Sequence, residues 1–279
     1  MVQRWRCRHC AFTVWSATQG TIVDAVKSHL LEHHRNQVSK PDFRTIWECP
    51  YCDQSGESHD EQDGLSQFRD HLFEHGKQLI EADVHVAAEV NGAGSVLVRS
   101  PLNSTGADNA RMHFLTPGDI VVFVTTTPGD RIRLLKDRLQ KWPAWTVILT
   151  TKETPLAGVD DVDLSNAPLE VVRLDRRLGL SDLGETVSRV LDEQKRKNGK
   201  VSFEFDILSE IIEKFETQTV FKFLHLLTRR LADVGALSHF YVNPSAQSAS
   251  TINILEQLFD ISITVNEQTF VTSAHDGSR

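Results

Sequence analysis

The sequence predicts an α/β protein in which two small metal-binding modules precede a mostly parallel sheet flanked by helices. Three observations carry this. Cys7, Cys10, His29 and His33 are each followed 42 residues later by a residue of the same type, at Cys49, Cys52, His71 and His75. After Lys77 that pattern stops, and short apolar runs begin to alternate with amphipathic stretches, the order of a parallel sheet with crossover helices. The run Val121-Val122-Phe123-Val124 lacks the polar alternation of a half-exposed strand and reads as one covered on both faces.

The repeat comes first. Two residues between cysteines let a tight turn aim both thiolates at one ion, and histidines four apart project from one face of a helix. Val23, Val26, Leu30 and Leu31 recur at helical spacing in the first unit, as do Leu65, Phe68, Leu72 and Phe73 in the second. Each set of four ligands is complete, whereas a catalytic zinc keeps a position open for water, so the expectation is two structural zinc ions. His34 stands beside His33. The repeat register favours His33 because His34 aligns with Gly76, but the choice between the two stays open. The modules are set at residues 1–40 and 41–80. With about 40 residues each they bury little surface, so metal binding should supply on the order of 10 kcal/mol of folding free energy per site.

Their charges differ. In residues 1–40 Arg4, Arg6, Arg8, Lys27, Arg35 and Lys40 face only Asp24 and Glu32, a balance of +4; residues 41–80 carry three basic residues against nine acidic ones, a balance of −6. The whole chain stands at −8, which argues against uniform nucleic-acid affinity. A nucleic-acid contact is therefore expected only in the first module, through Arg4, Arg6, Arg8 and Lys27, and a protein partner at the second. All four cysteines are used as ligands, which leaves no disulfide and fits a reducing compartment. No apolar run reaches the roughly 18 residues of a membrane helix, and Met1 to Arg6 leads into no signal segment, so the chain is expected in the cytoplasm.

The modules resemble the Cys2His2 (C2H2) zinc-finger family. The family's gap between second cysteine and first histidine is about twelve residues. Here it is eighteen, and the additional residues, within Thr13 to Gly20 and Gln54 to Gly64, are expected to lengthen the loop before each helix. That departure takes the chain away from the family's three-base docking geometry.

The larger domain is set at residues 81–266. Expected strands are 95–99, 120–125, 146–150, 170–174, 200–205, 236–242 and 261–265; expected helices are 108–115, 130–141, 181–197, 217–234 and 250–259. Trp142-Pro143-Ala144-Trp145 should pack a turn before the third strand. His113, His225 and His239 read as core or helix-face residues rather than bases, since no nucleophile accompanies them. The polar tail, 267–279, is expected to be disordered.

The stretch Val96 to Ala110, a strand, a loop with Gly106 and a helix, resembles the nucleotide-binding core of the RecA/KaiC-like P-loop family, as do Phe123 to Pro128, Val201 to Ser209 and the strand Ala236 to Val242. The domain also resembles uncharacterised haloarchaeal domains. The resemblance implies a phosphate loop after the first strand, a metal-orienting aspartate at Asp206, and self-association. The chain departs from the family where chemistry is needed. Aligned through Gly106, Ala107 replaces the phosphate-binding Lys and Asp108 the magnesium-holding hydroxyl, which sets negative charge against phosphate. Asp206 is left between magnesium coordination and the cap of the next turn. The sequence therefore points to a non-enzymatic, zinc-binding regulator or adaptor, against the alternative of an ATP-dependent enzyme or nucleotide-gated switch with a divergent phosphate loop.

Overall fold

The computed structural model describes residues 2–8, 10–34, 38–50, 52–77, 79–101, 104–116, 118–159, 162–177, 179–195 and 199–272, without the side chains of His34 and Lys195. They form two compact units, residues 1–85 with 268–279, and residues 86–267.

In the first unit the repeat is structural. Strands β1 (Gln3–Arg6) and β2 (Thr13–Ser16) form a hairpin followed by helix α1 (Gln19–His34). After β3 (Val38–Ser39) come β4 (Thr45–Glu48), β5 (Ser55–Ser58) and α2 (Glu61–Lys77). Both hairpin strands and the helix start return 42 residues later. The expected long loop before each helix is absent, because only two residues lie between β2 and α1 and between β5 and α2. The extra residues lengthen the helix on its N-terminal side, ten residues ahead of His29 and of His71. Asp60 makes the early start of α2 favourable by accepting from the Asp63 amide at 2.9 Å, as an N-cap does.

The two modules are not independent bodies. Trp5, Val14, Ile22, Val26 and Leu30 of the first share one core with Trp47, Phe68, Leu72 and Phe73 of the second. Units too small to bury a core alone meet that need by pooling their apolar faces. The tail also departs from expectation. Residues Thr269–Thr272 form a strand, β14, antiparallel to β2, with Phe270 opposite Trp15 and buried, and with the Thr13 amide donating to Thr272 Oγ1 at 2.8 Å. Phe270 and Val271 between Thr269 and Thr272 make a run of aromatic and β-branched residues that suits a strand better than a disordered end. Residues 273–279 lie outside the described residues. On its other edge β1 pairs antiparallel with β6 (Glu81–Ala82), and β4 pairs antiparallel with both β3 and β5.

The second unit opens with a 3₁₀ turn at Val86–Val90. Its strands are β7 (Gly94–Arg99), β8 (Ile120–Val124), β9 (Trp145–Thr150), β10 (Leu169–Arg173), β11 (Val201–Phe205), β12 (Leu237–Val242) and β13 (Ile261–Val265). They lie in the order β10-β9-β8-β11-β12-β7-β13, every pairing parallel. Helices α3 (Thr105–Arg111) and α4 (Pro128–Arg138) cover one face; α5 (Leu180–Lys195), α6 (Leu208–Lys214), α7 (Thr217–Asp233) and α8 (Ala249–Glu256) cover the other. Val122, Val124, Phe203 and Phe205 pack toward α5–α8, while Val121 and Phe123 pack toward α4. That division is the two-residue alternation of a strand buried on both sides. The stripe Val220, Phe223, Leu224, Leu227 and Leu231 is the buried face of α7, Trp142 and Trp145 pack on the cores flanking the sheet, and α6 is an element that the sequence pattern does not set apart.

Candidate metal centres

Each hairpin turns at its cysteine pair. The Cys7 amide donates to the Phe12 carbonyl at 2.9 Å, and the Cys49 amide donates to the Gln54 carbonyl at 2.8 Å, the same closure 42 residues apart. Fixed this way, both thiols of a pair face the helix that carries the histidines.

In the second module the ligand atoms of Cys49, Cys52, His71 and His75 all lie within 4.8 Å of one another. Cys52 Sγ is 3.4 Å from His71 Nε2, and His75 Nε2 is 3.3 Å from the same nitrogen. The Trp47 ring stacks on His71 at 5.3 Å, and beneath it Phe68 is fully buried. Burial, with the neighbouring His75, lowers the His71 pKa and favours the neutral imidazole that a metal needs. In the first module Cys7, Cys10 and His29 come together in the same way, with Cys10 Sγ 3.4 Å from His29 Nε2. His29 is buried, stacked on Phe12 at 3.9 Å and met edge-on by Trp5. His33 is not part of that close-set group: its side chain is exposed and its ring stands 4.5 Å from that of His29. Both groups are constellations of lone pairs that a metal ion would satisfy.

Of the cations expected at a nucleic-acid surface, Arg4 pairs with Glu81 and Lys27 with Asp70 at 2.6 Å while also lying over the Phe73 ring; Lys40, in the same module, pairs with Glu61. Lys27 and Lys40 of the basic first module thus meet acidic residues of the second within one unit.

Leu102 and Asn103 of the expected phosphate loop lie outside the described residues; beside it the second unit holds an ion network that is buried except at Asp108. Helix α3 is only seven residues long, and Ser104 caps it by accepting from the Ala107 amide at 3.1 Å. A side chain at Gly106 would meet the Asn266 carbonyl at 2.5 Å, so this glycine serves close packing. Arg111 Nε donates to Glu204 Oε1 at 2.8 Å and its Nη2 to Asp206 Oδ1 at 3.0 Å. Arg131 Nη2 donates to Asp206 Oδ2 at 2.9 Å, and Thr125 Oγ1 reaches the same oxygen at 2.9 Å. Asp108 Oδ1 accepts from both arginines, at 3.0 and 3.2 Å. Burial alone would raise the Asp206 pKa, but Arg131 and Arg111 outweigh it and hold the carboxyl below its ordinary value. For Glu204 burial wins and pushes the carboxyl up. Arg111 lies over the Tyr241 ring at 4.2 Å.

Both oxygens of Asp206 are therefore engaged by protein donors. The positive charge that magnesium would bring to it comes from Arg111 and Arg131. Neither arginine stands out in the sequence, although the signal is present: Arg131 interrupts the stripe Pro128, Ile132, Leu135, and Arg111 the stripe Ala107, Ala110, Phe114. An arginine on an apolar helix face, in a chain that places carboxylates inside an apolar strand, marks a buried ion pair. His239 is a core residue, stacked on Phe114 at 4.5 Å and 3.1 Å from the Tyr241 hydroxyl, with burial lowering its pKa well below normal. His113 Nδ1 accepts from the Val86 amide at 3.3 Å, and His225 is exposed on α7.

No curated protein matches the chain. Among solved structures, a Pyrococcus horikoshii OT3 protein known from a structural study aligns over 63% of this chain and 83% of its own, at 11% identity and a TM-score of 0.40. A model of a family of unknown function, DUF7504, matches residues 93–265, which is nearly the whole parallel-sheet unit and more than half of the sequence. The chain belongs to that family, DUF7504.

Proposed function

We propose that this protein is a zinc-binding, non-enzymatic regulator or adaptor, in which two structural zinc ions hold the first unit as an interaction module and the parallel-sheet unit serves as a platform. The observation that carries the reading is the duplicated ligand set. A tetrahedral ion about 2.3 Å from sulfur and about 2.05 Å from nitrogen separates its ligands by about 3.3 Å for N···N and about 3.5 Å for S···N. The second module has 3.3 and 3.4 Å, and the first has 3.4 Å for its S···N pair. In this reading Cys49, Cys52, His71 and His75 hold one ion. Cys7, Cys10 and His29 hold the other, with His33 completing it by a change of side-chain rotamer.

The platform role is supported by the parallel sheet together with Arg111, Arg131 and Asp206, whose ion pairs would, on the RecA/KaiC-like resemblance, stand where that family keeps phosphate and magnesium. Ion pairing of Arg4, Lys27 and Lys40 within the first unit favours a protein partner over nucleic acid. Co-purification from the native source with and without nuclease tests this, with calorimetric titration by ATP and magnesium beside it. A partner retained after nuclease and no saturable ATP heat is the expected outcome. A partner lost on nuclease treatment, or saturable sub-millimolar ATP binding, overturns it.

A further inference from the structure

The parallel sheet reverses its direction of winding between β8 and β11: the chain runs outward through β8, β9 and β10, then returns to the other side of β8 as β11. In open α/β sheets the crevice beyond the carboxyl ends of the strands at such a reversal is where ligands bind. Here that place holds a cavity of about 340 Å³, lined by the residues that follow β8, β9, β10 and β11 and by α5 and α6. It lies on the α5–α8 face, bordering the Arg111–Asp206 network through Thr125, and it takes no part in the zinc reading.

Its chemistry is divided. The walls are apolar, formed by Leu149, Leu180, Ile207, Ile211 and Phe215. Inside, Thr126 Oγ1 donates to Glu210 Oε1 at 3.1 Å, while the other carboxylate oxygen, Oε2, is buried without a hydrogen-bond partner in the protein. A buried acceptor left unpaired is costly, and a ligand N–H or O–H would satisfy it. At the rim stand Arg176, Arg177 and Lys214 against Asp175. Arg176 is held by Glu153 at 3.5 Å, whereas no carboxylate among the described residues lies within ion-pair distance of the Arg177 or Lys214 side chain. The site thus has an apolar body, an inner acceptor and a cationic mouth.

We infer that this cavity binds a small amphipathic carboxylate: an aromatic or branched apolar body carrying an N–H or O–H donor toward Glu210 and an anionic group toward Arg177 and Lys214. The volume is at the lower end of small-molecule pockets, about 300–1,000 Å³, so the ligand is a compact one.

Isothermal titration of the full chain with three probes tests each part. Indole-3-acetate has the ring, the donor and the anion; 1-naphthaleneacetate lacks the donor; indole-3-acetamide lacks the charge. Saturable binding is expected for indole-3-acetate, weakened about five- to tenfold for each of the other two, in keeping with the loss of one hydrogen bond or one exposed charge contact. In the Arg177→Gln/Lys214→Gln protein, whose changes lie on the surface, indole-3-acetate should fall to the affinity of the amide. In Glu210→Leu its advantage over 1-naphthaleneacetate should vanish. Absence of saturable indole-3-acetate binding overturns the inference, as does equal binding of all three probes by the unaltered chain or retention of the full affinity in the doubly substituted protein.

Discussion

The indole Nε1 of Trp5 donates to the carbonyl of Gly76 across 3.0 Å, tying the hairpin of the first module to the end of the second module's helix. A side chain at position 76 would stand 3.2 Å from that nitrogen, so the glycine that replaces a histidine in the repeat register is what lets the indole approach. The pseudo-repeat is broken here, and the break joins its halves.

Trp5→Phe keeps an aromatic ring but removes the indole donor and its five-membered ring, leaving the buried Gly76 carbonyl with the Leu79 amide alone. The first unit should lose about 1–3 kcal/mol, read as a lower urea midpoint of the zinc-loaded protein with little change in slope. An unchanged midpoint would show that the bond contributes nothing.

Asp206→Asn removes a charge that two buried guanidiniums share. Breaking one side of such a pair costs about 3–5 kcal/mol, because the remaining charges stay buried and uncompensated. Denaturation monitored on the second unit should show that loss. The pH sign follows from the lowered Asp206 pKa: the folded state holds the proton more weakly than the unfolded chain, so the stabilisation is full above the ordinary carboxylate value of about 4 and is lost as pH falls below it. Glu204 works in the opposite sense, since burial raises its pKa and protonation relieves a cost. The unaltered protein should therefore lose stability below about pH 4 more steeply than the Asp206→Asn variant.

Phe270 lies in the segment whose composition suggests a loose end. It is buried opposite Trp15, and Phe270→Ala should cost about 3–5 kcal/mol, measurable as a fall in thermal midpoint. A disordered tail would give no change at all.

Much of the sheet is legible because Ile120–Val124 is an unbroken apolar run and its neighbours are rich in apolar and β-branched residues, and a strand buried on both faces leaves that mark whatever surrounds it. The strand at 261–265 and the helix at 217–233 need nothing beyond periodicity. Ligand spacing reveals the metal centres for a similar reason: Cys7, Cys10 and His29 come together through local hairpin and helix geometry. What stays hidden depends on partners distant in sequence. Arg111 meets Glu204 across 93 residues, Trp5 meets Gly76 across 71, and β14 reaches β2 from the far end of the chain. No local period encodes such meetings. The early helix starts at Gln19 and Glu61 escape a reading by periodicity because polar residues ahead of the apolar stripe look like loop until a cap such as Asp60 is recognised.

The central claim is that the repeat holds two zinc ions, one in each module. Metal analysis of the purified chain tests it directly when paired with Cys49→Ser. The account predicts two zinc ions per chain, falling to one tightly held ion in the variant. Two tightly held ions surviving Cys49→Ser, or none in the unaltered protein after purification without chelator, would contradict it.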